Sequence, residues 1–295
     1  MWIRKENGEI ILNTRIIFIQ ESLHTFKPSE KKAAEYILRN PQEVVNISVQ
    51  KLAEKAKVSE ATIIRLSKSL KCKGFQELKL KIAYELAKSE HTNGLYEDIP
   101  NDDSMKSFIQ SVSQNNIQAI QNTLLVLSET ELEKAVKIIS NARIVAVYGV
   151  GASGIIARDL KQKLTRINRW CEAAYDGGTQ LTISANLSQQ DVAIGISYSG
   201  QTKDMIESLR VAKENGANII TLTKSGDNPV SLLADVKLNT TSLERDVRSG
   251  ATSSRIAQLN VIDILFLGVT KFNQDQNIQA LERTRKAVEV SKKHV

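Results

Sequence analysis

The second half of the chain repeats one pattern, a short apolar run followed by an amphipathic stretch. The runs at 144–147 and 192–196 are apolar throughout or nearly so, as in parallel strands that are buried on both faces. After residue 202 the apolar positions recur at helical spacing, with Met205 and Leu209 on the same face. Strands that alternate with helices predict an α/β fold, here a doubly wound parallel sheet.

The predicted elements of this half extend from residue 143 to residue 269. Strands are expected at 143–148, 169–174, 191–197, 218–222 and 235–238, and helices at 153–168, 178–186, 202–215, 229–234 and 254–269. Within the last helix, residues 262–269 are too apolar for a surface that faces water. This segment therefore predicts self-association, as a homodimer or a higher homo-oligomer.

The first half of the chain predicts helices alone, at 28–38, 41–46, 49–56, 59–70, a stretch ending near 127, and 129–140. Ser48 and Ser59 stand where N-caps are expected. Leu52 and Ile63 fall where a helix-turn-helix places its interior contacts. Lys57 occupies the turn, a position at which glycine is usual, and a left-handed lysine there is strained by roughly 1 kcal/mol.

The second helix of this pair is expected to enter the major groove of duplex DNA. The predicted DNA-binding residues are Ser48, Ser59, Glu60, Ala61, Thr62, Arg65, Lys68, Ser69 and Lys73. From Glu60 to Ser69 they form a short, polar and basic exposed face. Arg65 is the candidate for a base edge, and Lys68 and Lys73 are candidates for phosphates. A plain helical hairpin in a bundle is the alternative interpretation.

The charge distribution favours a polyanionic partner for this half. The chain has a net charge of +7, and residues 1–95 carry 17 Lys and Arg against 11 Asp and Glu. Between residues 57 and 81 there are seven basic and two acidic residues. A local excess of this kind is typical of a nucleic-acid-binding surface.

Composition narrows the class of protein further. The 295 residues are 41% hydrophobic and 25% charged, which is ordinary for a globular protein of two domains. No apolar run approaches the roughly 20 residues of a membrane span. Cys72 and Cys171 are far apart and the three histidines are scattered. We therefore expect no metal site, no cofactor and a reducing cytoplasm as the location.

We expect four segments along the chain. Residues 1–92 form the helix-turn-helix domain. Residues 93–128 form a linker and a connecting helix, because 91–104 are polar and contain glycine and proline. Residues 129–275 form the α/β domain, and 276–295 form a C-terminal helical tail.

Two strand-to-helix loops of the α/β domain are candidates for one phosphate site. One loop, at 197–202, reads Ser-Tyr-Ser-Gly-Gln-Thr, and the other, at 149–154, follows the first strand. Free N–H groups and hydroxyls at a helix N-terminus attract phosphate, and the two loops share the carboxyl edge of the sheet. The predicted phosphate ligands are Gly151, Ala152, Ser153, Ser197, Ser199, Gly200, Gln201 and Thr202.

Two other interpretations of these loops stay open. Serine and threonine before a helix are often only caps. Gly149, Gly151 and Gly154 also satisfy the Gly-x-Gly-x-x-Gly dinucleotide pattern, with Asp176 about 20 residues further on. A dinucleotide, however, leaves the loop at 197–202 without a role.

Several motifs in order resemble one known family, the bacterial transcriptional regulators of the RpiR/MurR type. The motifs lie at 28–32 (Pro-Ser-Glu-Lys-Lys), 36–38, 52–65, 73–79, 149–153, 197–203 and 248–255 (Arg-Ser-Gly-Ala-Thr-Ser-Ser-Arg). The resemblance covers about residues 25–270. Regulators of this type join a helix-turn-helix to a sugar isomerase (SIS) domain that senses a phosphosugar.

The resemblance implies a sequence-specific DNA-binding repressor of sugar or amino-sugar genes, controlled by a sugar phosphate. N-acetylmuramic acid 6-phosphate is the first candidate effector. The family's phosphate loops map onto Ser153, Ser197, Ser199 and Thr202, and likeness to sugar-binding members makes Glu244 a candidate for sugar hydroxyls.

The alternative function is a phosphosugar isomerase or lyase that carries an extra helical domain. Proton transfer in such an enzyme needs a positioned base. The α/β domain at 129–275 offers no histidine, and Glu172, Asp176 and Glu244 are the carboxylates that remain near the loops. We therefore expect no enzymatic activity.

Overall fold

A computed structural model describes residues 16, 19, 22, 23, 26–90, 104–241 and 251–292. The chain divides into two compact units, Met1–Ser107 and Phe108–Val295. Most of the predicted linker, residues 91–103, and the predicted sugar contact Glu244 lie outside the described residues.

The described part of the first unit is helical. Its helices are α1 (Pro28–Arg39), α2 (Pro41–Val44), α3 (Val49–Ala56), α4 (Glu60–Ser69) and α5 (Phe75–Glu90). The first four agree with the predicted helices to within about two residues at each end, the precision expected of helix boundaries. Helix α5 has no counterpart among the predicted elements.

Helices α3 and α4 form the helix-turn-helix. Leu52 on α3 and Ile63 on α4 are fully buried, as their spacing predicts. Ser48 Oγ accepts the N–H of Lys51 at 3.2 Å, and Ser59 Oγ accepts that of Thr62 at 3.3 Å, so each helix has a side-chain cap. Between them Lys57 is left-handed, with φ 53° and ψ 49°.

The second unit contains a parallel sheet of five strands, which confirms the predicted α/β fold. The strands are β1 (Val145–Tyr148), β2 (Cys171–Ala174), β3 (Val192–Ser197), β4 (Asn218–Lys224) and β5 (Val236–Thr240). Their order across the sheet is β2-β1-β3-β4-β5, and each neighbouring pair is parallel.

Helices precede, connect and follow these strands. They are α6 (Met105–Val126), which begins in the first unit, α7 (Glu129–Asn141), α8 (Ala152–Arg166), α9 (Gly177–Ser184), α10 (Lys203–Glu214), a 3-10 turn at Ser231–Leu233, α11 (Thr252–Phe272) and α12 (Gln274–Lys292). Of the described helices, none alone has the length and apolar composition to cross a membrane. Helices α11 and α12 meet that test only as a pair bent by 113°.

Helices α8 and α10 cover opposite faces of the sheet. Ile156 of α8 belongs to the same core cluster as Val147 of β1. Met205 of α10 belongs to a second cluster with Tyr148 of β1. Since successive residues of β1 enter different clusters, the strand is buried on both faces, as its uninterrupted apolar run indicates.

The apolar part of α11 at 262–269 serves the core of its own unit. Ile262, Leu265 and Val269 are at most 1% exposed and belong to the larger core cluster. Leu267 remains 63% exposed. The apolar composition that predicted self-association is therefore explained for the most part by intramolecular packing, because a helix that covers a sheet and contacts other helices needs apolar residues on more than one side.

Candidate functional sites

The strand order brings the two predicted phosphate loops together. Strand β1 lies between β2 and β3, with Tyr148 opposite Gly195 in the β1–β3 register. The chain leaves β1 for α8 on one face and leaves β3 for α10 on the other. The sheet therefore has its topological switch point between β1 and β3, and ligands of open α/β sheets bind at the carboxyl edge of that point.

The loop after β1 packs tightly against the start of α8. A Cβ on Gly149 would lie 2.4 Å from the carbonyl oxygen of Ser153, so glycine is required there. Gly151 flanks the helix without capping it, and Ala152 and Ser153 form its first turn. Within the described part of the chain, the Ser153 hydroxyl has no hydrogen-bond partner. This hydroxyl and the first-turn amides can therefore bind an anion.

The loop after β3 is held by its own hydroxyls. Ser197 is 3% exposed, and its Oγ accepts the N–H of Gly200 at 3.1 Å and lies 3.0 Å from Thr202 Oγ1. Ser199 is exposed, and its Oγ accepts the N–H of Gln201 at 3.3 Å. Thr202 occupies the N-cap position of α10, yet its side chain does not cap the helix.

Several other helices within the described residues have side-chain caps. Ser48, Ser59, Ser128 and Asp176 each accept an amide hydrogen bond at the start of α3, α4, α7 and α9. Helices α8 and α10, which start beside the switch point, have none, although hydroxyls lie close to both N-termini. Helices α1, α2 and α11 also have no side-chain cap. The interpretation of these hydroxyls as ordinary caps therefore does not describe this edge of the sheet.

Asn228, in the loop after β4, supports the loop after β3. Gly200 has φ 65°, and a Cβ on it would lie 1.9 Å from Asn228 Oδ1. The Nδ2 group of Asn228 donates to Thr223 Oγ1 at 3.1 Å, and its Oδ1 accepts the N–H of Ser231 at 2.9 Å. Val230 N–H donates to the carbonyl of Gly200 at 3.0 Å. The sequence prediction missed Asn228, because it reaches the site from a different strand.

Two carboxylates near the loops, those of Glu172 and Asp176, are already engaged. Glu172 Oε2 accepts from Lys161 Nζ at 2.8 Å. The two carboxylate oxygens of Asp176 accept the N–H and the hydroxyl of Thr179 at 2.9 and 2.8 Å. These bonds, the backbone one first, hold the pKa of Asp176 below its ordinary value. Asp176 is thus a helix cap that stays ionised, and it is not positioned as a proton carrier.

Neither cysteine forms part of a site. Cys72 and Cys171 are both buried, and neither is in a disulfide. Burial raises the pKa of the Cys171 thiol to about 12, which keeps it protonated and unreactive near neutral pH. The described residues contain no group of three or more His, Cys, Asp or Glu side chains that could hold a metal ion.

One face of α4 carries most of the predicted DNA-binding residues in an exposed position. They are Glu60, Ala61, Arg65, Lys68 and Ser69. The structure adds Ile64, 41% exposed, which the prediction missed although it lies four residues from both Glu60 and Lys68. Lys73 is exposed beyond the helix, and its backbone N–H donates to Glu77 Oε2 at 2.7 Å.

Thr62 does not lie on this face, so the prediction that its side chain is exposed is wrong. It is 3% exposed, and its Oγ1 lies 3.0 Å from Ser59 Oγ. The same oxygen accepts a hydrogen bond from Arg65 Nη2 at 3.3 Å. Thr62 is buried because its hydroxyl packs back against the helix cap, and it contacts the candidate base-reading residue instead of solvent.

Two family models match the chain. The model described as the helix-turn-helix domain of the rpiR family matches residues 16–89, and the SIS domain model matches residues 138–268. An uncharacterised HTH-type transcriptional regulator of Caldanaerobacter subterraneus subsp. tengcongensis is 45% identical over 93% of this chain and 96% of its own length. The uncharacterised HTH-type transcriptional regulator YbbH of Bacillus subtilis is 40% identical over 93% of this chain and 96% of its own length.

Solved structures share the fold. The NanR protein of Vibrio vulnificus, in complex with ManNAc-6P, superposes with a TM-score of 0.60 at 22% identity, over 93% of this chain and 98% of its own. The sugar isomerase domain of an RpiR transcription factor from Sphaerobacter thermophilus superposes with a TM-score of 0.54 at 26% identity, over 60% of this chain and 97% of its own.

Proposed function

Because this chain belongs to the RpiR family of HTH-type transcriptional regulators and carries an SIS domain, we propose that it is a repressor of sugar or amino-sugar genes whose DNA binding is controlled by a sugar phosphate. We place it in the cytoplasm. The proposed domain limits are 1–92 for the helix-turn-helix domain, 93–128 for the linker and connecting helix, 129–275 for the SIS domain and 276–295 for the tail.

The meeting of two uncapped helix N-termini at the switch point is the observation that carries the effector part of this proposal. Each helix N-terminus is equivalent to roughly half a positive charge, and a doubly charged phosphate gains further from charge-assisted hydrogen bonds. The proposed ligands of the phosphate are the hydroxyls of Ser153, Ser197, Ser199 and Thr202, with the backbone of Gly151, Ala152, Gly200 and Gln201 around it.

The sugar part of the effector is proposed from likeness. NanR, which has the same fold, was solved with ManNAc-6P, a sugar phosphate. We propose an amino-sugar 6-phosphate for this chain, with N-acetylmuramic acid 6-phosphate as the first compound to test. Glu244 is the proposed contact to the sugar hydroxyls.

On the DNA side, we propose that the exposed face of α4 enters the major groove. Arg65 would meet a base edge, and Lys68 and Lys73 would meet phosphates. Helix-turn-helix proteins that bind DNA in this way do so as dimers, on two half-sites roughly one turn of DNA apart. A homodimer or higher homo-oligomer on a two-fold symmetric operator is therefore part of the proposal.

We propose no enzymatic activity, although two solved structures that share the fold are described as candidate sugar-phosphate isomerases. A phosphosugar isomerase or lyase needs a base that is free to take a proton. Glu172 is in an ion pair with Lys161, and Asp176 caps α9. The described residues of the second unit include no histidine.

A thermal-shift comparison of sugar phosphates with their dephosphorylated sugars tests the effector site. N-acetylmuramic acid 6-phosphate and glucosamine 6-phosphate are the probes. At 100 times its dissociation constant, the effector should add about 2.7 kcal/mol to the free energy of unfolding. The sugar without phosphate should add far less, since the phosphate makes the charge-assisted bonds.

The matched variants separate the site from general stability. Ser199→Ala combined with Thr202→Ala should abolish the response to the sugar phosphate and leave DNA binding intact. Ser128→Ala removes the cap of α7, so it should lower stability by about 1 kcal/mol while the response persists. An equal response to a sugar and to its phosphate would contradict the proposed site.

A further inference from the structure

Glu30, in the first turn of α1, is buried beneath the side chain of Arg65. The Glu30 side chain is 9% exposed, and its Oε1 lies 3.9 Å from Arg65 Nε. Within the described residues this is its only ion pair. A buried carboxylate is unfavourable unless positive charge compensates it, and here Arg65 and the N-terminus of α1 provide that charge.

Arg65 is held at two points of its guanidinium group. Its Nε forms an ion pair with Glu30 Oε1 at 3.9 Å, too long for a hydrogen bond, and its Nη2 donates to Thr62 Oγ1 at 3.3 Å. Thr62 is fixed in turn by Ser59, whose Oγ lies 3.0 Å from Thr62 Oγ1. The chain of contacts Ser59–Thr62–Arg65–Glu30 therefore ties an exposed side chain to two helices, α1 and α4.

The donors that remain on Arg65 suit a guanine edge. A guanidinium has five N–H donors, one on Nε, which lies 3.9 Å from Glu30, and four on the two Nη atoms, of which one is bound to Thr62. Three stay available, with at least one on each Nη. Bidentate reading of guanine O6 and N7 needs one N–H from each of two nitrogens. The Arg65 side chain is 58% exposed, so this end can reach a partner.

We propose that Glu30 is a positioning residue for DNA recognition, which together with Thr62 orients Arg65 for reading guanine. A guanidinium oriented in advance loses less freedom on binding DNA. The carboxylate also offsets the charge of Arg65, which weakens sequence-independent attraction to phosphates. Both effects raise the preference for the specific site. This inference rests on the proposed function of α4.

The test uses the full chain and a duplex that the wild type selects from a random-sequence pool. In that duplex, each guanine–cytosine pair is replaced in turn by adenine–thymine. The wild type should lose affinity by about 5- to 150-fold at the position that Arg65 reads. The specificity ratio is the affinity for the selected duplex divided by the affinity for the duplex changed at that position. Glu30→Gln keeps the shape of the side chain and removes its charge, so this ratio should fall to a few-fold. The affinity of Glu30→Gln for an unrelated duplex should stay equal or rise.

Glu54→Gln is the matched control, because Glu54 is an exposed acid on α3 paired with Lys51. It should keep the wild-type ratio. Thr62→Val removes the other hold on Arg65, so it should reduce the ratio in the same direction even if Glu30→Gln folds poorly. Arg65→Ala is less informative, since it leaves the buried Glu30 without its cation.

Two results would overturn the inference. One is an unchanged ratio in both Glu30→Gln and Thr62→Val. The other is a parallel rise in affinity for the selected and the unrelated duplex in Glu30→Gln, which would show that Glu30 competes with DNA for Arg65. A wild type that selects no sequence from the pool would instead refute the proposed DNA recognition, and the inference with it.

Discussion

Gly200 constrains the shape of the loop at 197–202, the proposed phosphate loop after β3. Its φ of 65° disfavours any other residue by roughly 1 kcal/mol. A Cβ there would also lie 1.9 Å from Asn228 Oδ1, and Asn228 is fixed by the bonds it makes to Thr223 and Ser231. The loop therefore has no simple way to accept a side chain at this position.

We expect Gly200→Ala to lower the melting temperature and to abolish the stabilisation by a sugar phosphate. The physical reason is that the loop must move away from Asn228, which displaces the amides at the start of α10. Thermal shift and calorimetry with N-acetylmuramic acid 6-phosphate measure both effects.

Gly178→Ala is the control for this prediction. Gly178 is in the first turn of α9, has no positive φ, and a Cβ there meets nothing closer than an Asp176 oxygen at 3.5 Å. Its stability and effector response should stay close to wild type. A normal response in Gly200→Ala would show that this loop does not hold the phosphate.

At the scale of elements, the turn between α3 and α4 combines good caps with one unfavourable residue. Lys57 ends α3 in a left-handed conformation, and its N–H is bonded to the carbonyls of Ala53 and Glu54. These hydrogen bonds satisfy two carbonyl groups at the end of the helix. The left-handed backbone, however, brings the Cβ of Lys57 too close to the following carbonyl oxygen. The turn is therefore tolerated without being optimal.

We expect Lys57→Gly to stabilise the helix-turn-helix by up to about 1 kcal/mol, because glycine adopts this conformation without strain. Hydrogen exchange in the full chain should show the amides of α3 and α4 exchanging about fivefold more slowly. Lys68→Gly, which makes the same replacement inside α4, should destabilise by about 1 kcal/mol. Equal destabilisation by both variants would show that Lys57 is not strained.

In the molecule as a whole, the proposed DNA-binding helix and the proposed phosphate loops belong to different units. The helix-turn-helix lies in Met1–Ser107, and the phosphate loops lie in Phe108–Val295. Control of one by the other therefore requires a coupling free energy between separate sites. Linkage makes that coupling reciprocal.

We expect DNA to change the affinity for the sugar phosphate by the same factor by which the sugar phosphate changes the affinity for DNA. Couplings of this kind commonly amount to about 5- to 150-fold. Calorimetry with N-acetylmuramic acid 6-phosphate and the selected duplex, each titrated with and without the other, gives both factors. The Ser199→Ala, Thr202→Ala double variant should bind DNA with no dependence on the sugar phosphate. An effector that binds equally well with and without DNA would contradict regulation by this route.

The features that depend on neighbouring residues could be predicted from the amino-acid sequence alone. Helix caps at Ser48 and Ser59, the left-handed Lys57 and the order of strands, loops and helices, α5 excepted, all follow from residues a few positions apart. Hydrogen bonds between i and i+3 or i+4, and the periods of buried side chains, are local properties that a sequence displays directly.

Contacts between residues far apart in the sequence became known from the tertiary structure. It turned Thr62 inward, packed residues 262–269 mainly into the core, and put Glu30 under Arg65 and Asn228 under Gly200. It also set the strand order, which makes the two loops neighbours. The spacing of apolar residues along the sequence indicates which face of a helix or strand is apolar. It does not name the partner across the interior, because that partner depends on how strands pair and helices pack along the whole chain.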